Sequence, residues 1–155
     1  MNSFFNILTG VWFIVGTNFP MWLDGDKVDP SLTYTIAEKK DTTVLLDIVK
    51  YTEKGKSKSI VGYDYTDPEK EKAFIWKGKG ALAFVKSKWE VKLMDDNGQW
   101  AVIWFSKTIF TPEGVDIISR KQTLDKGVLD DIKNRMLADS ILKKHVGSLV
   151  ELKKN

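Results

Sequence analysis

A chain of 155 residues without cysteine cannot carry a disulfide framework, a thiolate nucleophile, a cysteine-based metal site or a lipid-bearing cysteine. Its length suits one domain with one core, and its apolar stretches are too short to span a bilayer. The net charge of +3 is mild, and only Arg120 and Arg135 of the 24 basic residues are arginine, so we expect no nucleic-acid partner.

The first nine residues, Met1 to Thr9, contain neither a basic residue nor a small-residue cleavage site. A secretory signal peptide needs both features. We therefore expect a cytoplasmic protein if the chain is complete. The alternative is a secreted or periplasmic protein whose leader has been removed.

Strand patterns follow one another through the first three quarters of the chain. Apolar residues alternate with small or polar ones at a period of two, which is the spacing of side chains on one face of a strand. Turn segments such as Asp95-Asp96-Asn97-Gly98 separate these runs, as in hairpins. The predicted strands are Val11–Val15, Leu32–Ala37, Thr42–Tyr51, Ser59–Tyr65, Ala73–Trp76, Trp89–Leu93, Gln99–Ser106 and Val115–Ser119.

About eight strands joined by short hairpins predict an all-β, up-and-down antiparallel sheet. Closing such a sheet into a barrel removes its exposed edges and leaves room for one small ligand. We predict a single domain over residues 1–155, with the barrel at about 10–120, a helix at about 125–139 and a final strand at about 148–152.

The predicted helix follows the last barrel strand. Thr123 or Asp125 is expected to cap its N-terminus through a side-chain oxygen. Its apolar residues recur at spacings of three and four, so one face should pack against the outside of the sheet. The residues of this face are Val128, Leu129, Ile132 and Met136.

Two segments resemble the lipocalin family of the calycin superfamily. Gly10-Val11-Trp12 resembles the family's Gly-X-Trp motif, and Val115–Arg120 resembles its last barrel strand, which ends in Ser-Arg. The Thr123-Leu124-Asp125 turn and the helix after it resemble the bacterial and plant-type branch. The resemblance implies an eight-stranded up-and-down barrel, a C-terminal α-helix packed on its outside, and a small hydrophobic ligand within.

The resemblance also implies a structural motif at the closed end of the barrel, formed by Gly10, Trp12 and Arg120. The Trp12 ring would plug this end, and the Arg120 guanidinium would lie across the ring. Such a contact contributes about 0.5–2 kcal/mol, and a lysine cannot stack as a plane. Phe13 stands where the family often has Tyr, and Asp116 takes a position that is aromatic in some relatives, which leaves the ligand's identity open.

Strand phase selects the residues expected to face the interior and to bind the ligand, although a slip of one residue reverses the whole set. The segment Thr17–Pro30, here called the lid segment, is unusually apolar for a loop, and we expect it to cover the open end with Trp22 touching the ligand. The predicted ligand-binding residues are Trp22, Tyr34, Leu46, Ile48, Tyr63, Phe74, Trp76, Trp89, Val91, Ile103, Phe105 and Asp116.

The sequence shows no motif for catalysis. His145 lies beyond the predicted barrel and is expected to be exposed, and no serine elbow, metal-spaced cluster or phosphate loop appears. Asp47 and Asp116 are the exceptions among carboxylates that otherwise lie mainly in turns or on polar strand faces, and an inward Asp would be a buried acid with a raised pKa. We predict no enzyme activity, no metal and no cofactor.

The favoured function is binding, and transport or storage, of a small hydrophobic or amphiphilic ligand such as a fatty acid or lipid. Four lysines near strand ends would attract an anionic head group; they are Lys50, Lys77, Lys79 and Lys107. Two alternatives stay open: an isomerase or lyase acting on a lipid or pigment, and a protein- or membrane-interaction module with a filled barrel. We expect a monomer or weak dimer, with peripheral membrane contact as a possible property of the lid segment.

Overall fold

The computed structural model describes residues 3–154. Strands dominate, and short helices lie at both ends of the chain and in the lid segment. The elements are α1 Ser3–Leu8, β1 Gly10–Thr17, α2 Pro20–Leu23, β2 Lys27–Lys39, β3 Thr42–Glu53, β4 Lys56–Thr66, β5 Ala73–Gly78, β6 Lys86–Met94, β7 Trp100–Phe105, β8 Gly114–Ser119, α3 Val128–Met136 and β9 Val150–Glu151, with 3₁₀ turns at Gly80–Leu82 and Leu142–Ser148.

The eight long strands form a closed antiparallel barrel, as the sequence predicts. Each strand pairs with the next along the chain, and β1 closes the ring because it pairs with both β8 and β2. Trp12 lies opposite Leu32 on one side of β1, and Ile14 lies opposite Ile118 on the other. The short strand β9 pairs with β1 beyond a bulge between Ile14 and Gly16.

Buried side chains form two separate clusters, one inside the barrel and one under α3. Strand β8 contributes to both clusters, and all six of its residues are buried. Ile118 belongs to the interior cluster, whereas Val115 and Ile117 pack beneath the helix. Since side chains alternate along a strand, a strand covered on both faces has a nearly continuous apolar sequence.

Helix α3 is shorter than predicted, and the predicted side-chain caps are wrong. It begins at Val128, after Gly127 in the left-handed conformation with φ of 85°, and no side chain caps it. The backbone carbonyl of Asp125 instead accepts a hydrogen bond from the Val128 amide. The predicted apolar face is present, with Ile132 and Met136 fully buried.

The closed end of the barrel is plugged by Trp12, which is fully buried. Its indole Nε1 donates a hydrogen bond of 2.8 Å to the carbonyl of Leu8. Helix α1, which the sequence analysis missed, covers this end and buries Phe5 and Leu8 against the same core.

Arg120 lies over Trp12, where the sequence placed it. Its guanidinium carbon is 3.7 Å from the ring centroid, and its two terminal nitrogens donate hydrogen bonds of 2.8–3.0 Å to the carbonyls of Ile7, Thr9 and Val11. Gly10 fits here because its φ is 102° and a Cβ atom would lie 3.1 Å from Arg120 Nη1. The motif therefore joins the start of β1 to the end of β8.

Candidate ligand-binding site

The open half of the barrel contains a cavity of about 320 Å³. Its wall is mostly apolar and aromatic, and it comes from the lid segment, from all eight barrel strands and from the two loops that precede β6 and β8. The lining residues are Ile14, Phe19, Met21, Trp22, Leu32, Tyr34, Asp47, Val49, Ile60, Trp76, Leu82, Val85, Ser87, Trp89, Phe105, Thr108, Phe110, Thr111 and Asp116.

A second, larger hollow of about 500 Å³ lies beside the β4–β5 loop at the closed end. Charged side chains of that loop line it, including Asp67, Glu69, Lys70, Glu71 and Lys72. Small-molecule sites are typically apolar with a few convergent polar groups. The barrel cavity has this character and the loop hollow does not, so the barrel cavity is the candidate site.

Stacked aromatic rings form the floor of the cavity around Trp89. The Trp89 ring stacks on Tyr34 at a centroid distance of 5.7 Å and on Phe74 at 4.5 Å. Its Nε1 donates a hydrogen bond of 2.8 Å to Asp64 Oδ1. Because Trp89 is held on both sides and by its nitrogen, this floor is preformed.

Trp76 occupies a neighbouring part of the wall, and a glycine makes room for it. On β4, Gly62 lies next to Trp76 across the β4–β5 pair. A Cβ atom at Gly62 would come within 2.3 Å of the Trp76 ring, so only glycine allows the ring to lie in this position.

The lid segment packs down onto the open end. Trp22 is only 6% exposed, and its ring meets Tyr51 edge-on at a centroid distance of 5.6 Å. Phe19 meets Phe105 in the same way at 5.4 Å. A largely buried Trp22 does not fit the alternative of an exposed membrane patch centred on this residue. The contact of Trp22 with a ligand stays a prediction.

Asn18 anchors the lid segment to the C-terminal part of the chain. Its Oδ1 accepts a hydrogen bond of 2.8 Å from the Val115 amide, and its Nδ2 lies 3.0 Å from Ser148 Oγ and 2.9 Å from His145 Nδ1. His145 Nε2 in turn lies 2.6 Å from Glu113 Oε2. His145 is 8% exposed, so the expectation of an exposed histidine is wrong: it is a buried structural link.

Three buried carboxyl groups set the electrostatics of the interior. Asp47 on β3, Asp64 on β4 and Asp116 on β8 are each at most 5% exposed. One oxygen of each, namely Asp47 Oδ1, Asp64 Oδ2 and Asp116 Oδ1, has no hydrogen-bond partner among the described residues. A buried polar atom without a partner is costly, and in a native fold it needs an explanation.

Burial in this apolar interior disfavours the charged forms of these groups. It raises the pKa of Asp116 to about 7, against the opposing effect of a hydrogen bond with Thr17. Burial also raises the pKa of Asp47, and for Asp64 the nearby charge of Asp47 adds to the effect of burial. The pKa of the Tyr34 hydroxyl is raised by burial and by the three carboxyl groups around it.

The structure brings half of the predicted ligand-binding residues to the cavity wall. These are Trp22, Tyr34, Trp76, Trp89, Phe105 and Asp116. Three further residues face the interior but are packed outside the cavity wall, and none of them exceeds 5% exposure; they are Phe74, Val91 and Ile103.

The placement of Leu46, Ile48 and Tyr63 in the interior is wrong. In the β3–β4 register Leu46 lies opposite Tyr63, and these positions are on the outer face of the barrel, where the Lys39 ammonium lies 4.5 Å from the Tyr63 ring centroid. The inward residues of β3 are Leu45, Asp47, Val49 and Tyr51. Strand β3 is apolar on both faces, so its alternation does not reveal which face is inside.

One residue of the sequence indicates which face of β3 lies inside the barrel. Asp47 was singled out as a carboxylate that would be a buried acid if it faced inward, and a strand cannot turn Asp47 inward together with Leu46 and Ile48. Asp64 was missed because it lies between Tyr63 and Tyr65, which have the more apolar phase. Its inward position follows only from the register with Leu45.

Two features are absent from residues 3–154. No group of three or more His, Cys, Asp or Glu side chains within this range is placed to hold a metal ion. No helix in the same range is long and apolar enough to cross a membrane.

Comparison with known proteins gives structural matches only. No family model matches the sequence, and no curated protein matches it. Lobster apocrustacyanin A1 superimposes with a TM-score of 0.70 at 14% identity, covering 99% of this chain and 80% of that one. Apocrustacyanin C1 gives 0.70 at 15% identity, covering 97% and 79%.

A third similar structure is the siderocalin Ex-FABP, which is described as functioning through dual ligand specificities. Its TM-score is 0.69 at 12% identity, and the match covers 96% of this chain and 95% of that one. The chain has the lipocalin fold. At these identities the matches establish the fold and do not support the bacterial and plant-type branch.

Proposed function

We propose that this protein binds a small hydrophobic ligand in its barrel cavity and carries or stores it without changing it. The observation that carries the proposal is the apolar cavity of about 320 Å³ above a floor of stacked rings. Ligand sites typically measure roughly 300–1,000 Å³, so the cavity suits a ligand at the small end of this range. A structural neighbour described by its ligand specificities adds support.

The driving force for binding is the removal of apolar surface from water. Each 100 Å² of ligand surface buried against this wall contributes about 2.5 kcal/mol before ordering costs. Trp89 is already held in place by the stacked Tyr34 and Phe74 rings and by its hydrogen bond to Asp64, so binding a ligand does not have to order it. The preformed wall therefore favours binding.

The test uses N-phenyl-1-naphthylamine, an apolar dye that becomes fluorescent in hydrophobic sites. The wild type is expected to bind it with micromolar affinity. Val49→Trp puts a large ring into the cavity and should weaken binding at least about tenfold. Ile48→Trp, one residue away on the outer face, is the matched control and should bind like the wild type. Failure of the wild type to bind, or equal binding by both variants, would contradict the proposal.

The second candidate function is an enzyme acting within the same barrel. The pKa of Asp116 near 7 is suited to proton transfer at neutral pH, which is the observation in its favour. A ligand retained by protein from its own host, identified by native mass spectrometry, should come off unchanged after incubation at pH 7. A chemical conversion that stops in Asp116→Asn would instead establish the enzyme.

A third candidate, contact with a membrane, is supported by the rim of the open end. Phe84, Ile109 and Phe110 are 68%, 82% and 64% exposed, and the exposed Lys79 and Lys107 lie in the same two loops. Apolar side chains beside cations suit an anionic lipid surface. Co-sedimentation with phosphatidylglycerol vesicles, but not with phosphatidylcholine vesicles, would support this contact, and its absence in both would refute it.

We propose membership of the bacterial and plant-type branch, which the resemblance of the Thr123-Leu124-Asp125 turn and the helix after it supports. We propose a monomer or weak dimer, which light scattering coupled to size-exclusion chromatography measures directly.

A further inference from the structure

The side chains of the cavity wall that can carry a charge are all acidic. Asp47 and Asp116 line the cavity, and Asp64 lies behind them with no exposed surface. None of the described residues that line the cavity is Lys, Arg or His. The interior therefore contains potential anions and no cation to balance them.

Three lysines on the neighbouring strands β2 and β5 are engaged by other side chains. The Lys77 ammonium lies 4.5 Å from the centroid of the Tyr65 ring, and Lys39 covers Tyr63 at the same distance. Lys27 pairs with Glu53 at 3.3 Å. None of these three ammonium groups is therefore available as a partner for a carboxylate inside the barrel.

The two cavity carboxyls lie on β3 and β8, and each is close enough to Tyr34 for its charge to raise the pKa of the Tyr34 hydroxyl. Passing from β3 to β8 by the shorter route crosses β2 and β1. Tyr34, on β2, is paired with Asp47 and faces the same interior. Asp47 Oδ1 and Asp116 Oδ1 both lack partners, so each can accept a hydrogen bond from a guest in the cavity.

The rest of the wall suits a cation with an apolar body. The rings of Trp22, Tyr34, Trp76, Trp89 and Phe105 line the same cavity. Aromatic faces attract cations, more strongly where water is excluded. Carboxyl oxygens and ring faces together are complementary to an ammonium group, whereas a carboxylate ligand would meet only like charge.

We propose that the ligand is a hydrophobic amine, whose ammonium group donates hydrogen bonds to Asp47 and Asp116 while its apolar body lies on the aromatic floor. This inference rests on the proposed binding function and names its ligand class. It replaces the fatty acid suggested by the surface lysines, because those lysines do not reach the cavity. The amine supplies the donors that the buried oxygens lack.

The experiment compares three compounds with the same two-ring body: 1-naphthylmethylamine, 1-naphthalenemethanol and 1-naphthoic acid. Isothermal titration at pH 8 should give an amine affinity at least about tenfold higher than that of the alcohol. The acid should be the weakest of the three. An acid that binds as tightly as the amine, or an amine no tighter than the alcohol, overturns the inference.

Two variants locate the effect. Asp116→Asn and Asp47→Asn should each reduce amine affinity at least about fivefold and leave alcohol affinity within about twofold. Asp96→Asn, in the exposed β6–β7 turn, is the matched control and should leave all three affinities unchanged. Circular dichroism confirms that each variant is folded. Unchanged amine affinity in both buried variants refutes the assigned carboxyls.

The outcomes separate this inference from the proposed function. If N-phenyl-1-naphthylamine binds in the cavity but the naphthyl amine shows no preference, the carrier function stands and the ligand class is wrong. If neither that dye nor any of the three naphthyl compounds binds, the proposed function itself fails.

Discussion

The two ends of the barrel differ in whether their polar side chains have hydrogen-bond partners. At the closed end, the Trp12 indole and the Arg120 guanidinium donate hydrogen bonds to backbone carbonyls. In the open half, carboxyl oxygens of Asp47 and Asp116 face a cavity with no partner. A satisfied polar group adds to stability and an unsatisfied one subtracts from it. The difference indicates that the closed end stabilises the fold, whereas the open half gives up stability at groups that can bind a ligand.

The largest expected effect comes from removing the plug. Trp12→Ala should lower the free energy of unfolding by about 3–5 kcal/mol, since it opens a cavity in a fully buried core. Trp22→Ala, in the lid segment, should cost less than half as much and should instead weaken dye binding. Urea denaturation and dye titration of both variants measure these effects. Equal losses of stability would end the contrast between the two ends.

The pH dependence of stability tests the open half. Burial raises the pKa of Asp116 from 3.8 to about 7, so between these values the folded state holds a proton that the unfolded state has released. Stability is therefore highest at the acidic side of this window, falls as pH rises through it and is level above it. Thr17 on β1 is hydrogen-bonded to Asp116, and Tyr34 on β2 lies close enough for the charge of Asp116 to raise its pKa.

The free energy of unfolding from urea denaturation should accordingly be higher at pH 5 than at pH 8, by about 3 kcal/mol from Asp116 alone. Asp116→Asn should remove much of this difference, and adding Asp47→Asn should remove more. The exposed control Asp96→Asn should retain all of it. A wild type that is less stable at pH 5 than at pH 8 would show that these carboxyl groups are not held in an apolar interior.

A smaller effect is expected where the cavity wall is tightest. Gly62→Ala places a methyl group within 2.3 Å of Trp76 and should cost about 1–3 kcal/mol while displacing that ring and changing dye affinity. Gly147→Ala is the control, because nothing lies within 4 Å of its added Cβ atom and its backbone is unstrained. Thermal melts and dye titration compare the two. A neutral Gly62→Ala would show that Trp76 moves freely.

The smallest effect separates the two arginines. Arg120→Lys removes a stacked guanidinium with three carbonyl partners and should cost about 1 kcal/mol. Arg135→Lys should stay within about 0.5 kcal/mol, since Arg135 is exposed and its guanidinium carbon lies 5.1 Å from the Trp100 ring centroid. Differential scanning calorimetry measures both. Equal melting temperatures would remove the special role of Arg120.

The sequence predicted the barrel and its closed end well because their signals are local. Turn residues and two-residue alternation mark the strands, and the glycine, tryptophan and arginine of the closed end lie in two short motifs. Each of these signals can be recognised without knowing where the rest of the chain lies. The contact between Trp12 and Arg120, which the resemblance to lipocalins implies, is present, whereas helix α1 over the same end was missed.

The open half was predicted less well because its geometry depends on pairing between distant residues. Leu46 and Ile48 were misplaced because both faces of β3 are apolar. The register, which pairs Leu45 with Asp64 and Asp47 with Gly62, shows which face is inside. His145 was misplaced for a similar reason. Its partners Asn18 and Glu113 are 127 and 32 residues away along the chain, and no periodicity links them.

The hydrogen bonds of Asn18 have a mechanical consequence. Asn18, near the start of the lid segment, is hydrogen-bonded to the Val115 amide on β8, to Ser148 and to His145. An opening motion at the mouth must therefore either break these bonds or pull the chain end beyond α3 along with it. Opening of the cavity is therefore coupled to the segment around His145 and Ser148, which forms no part of the cavity wall.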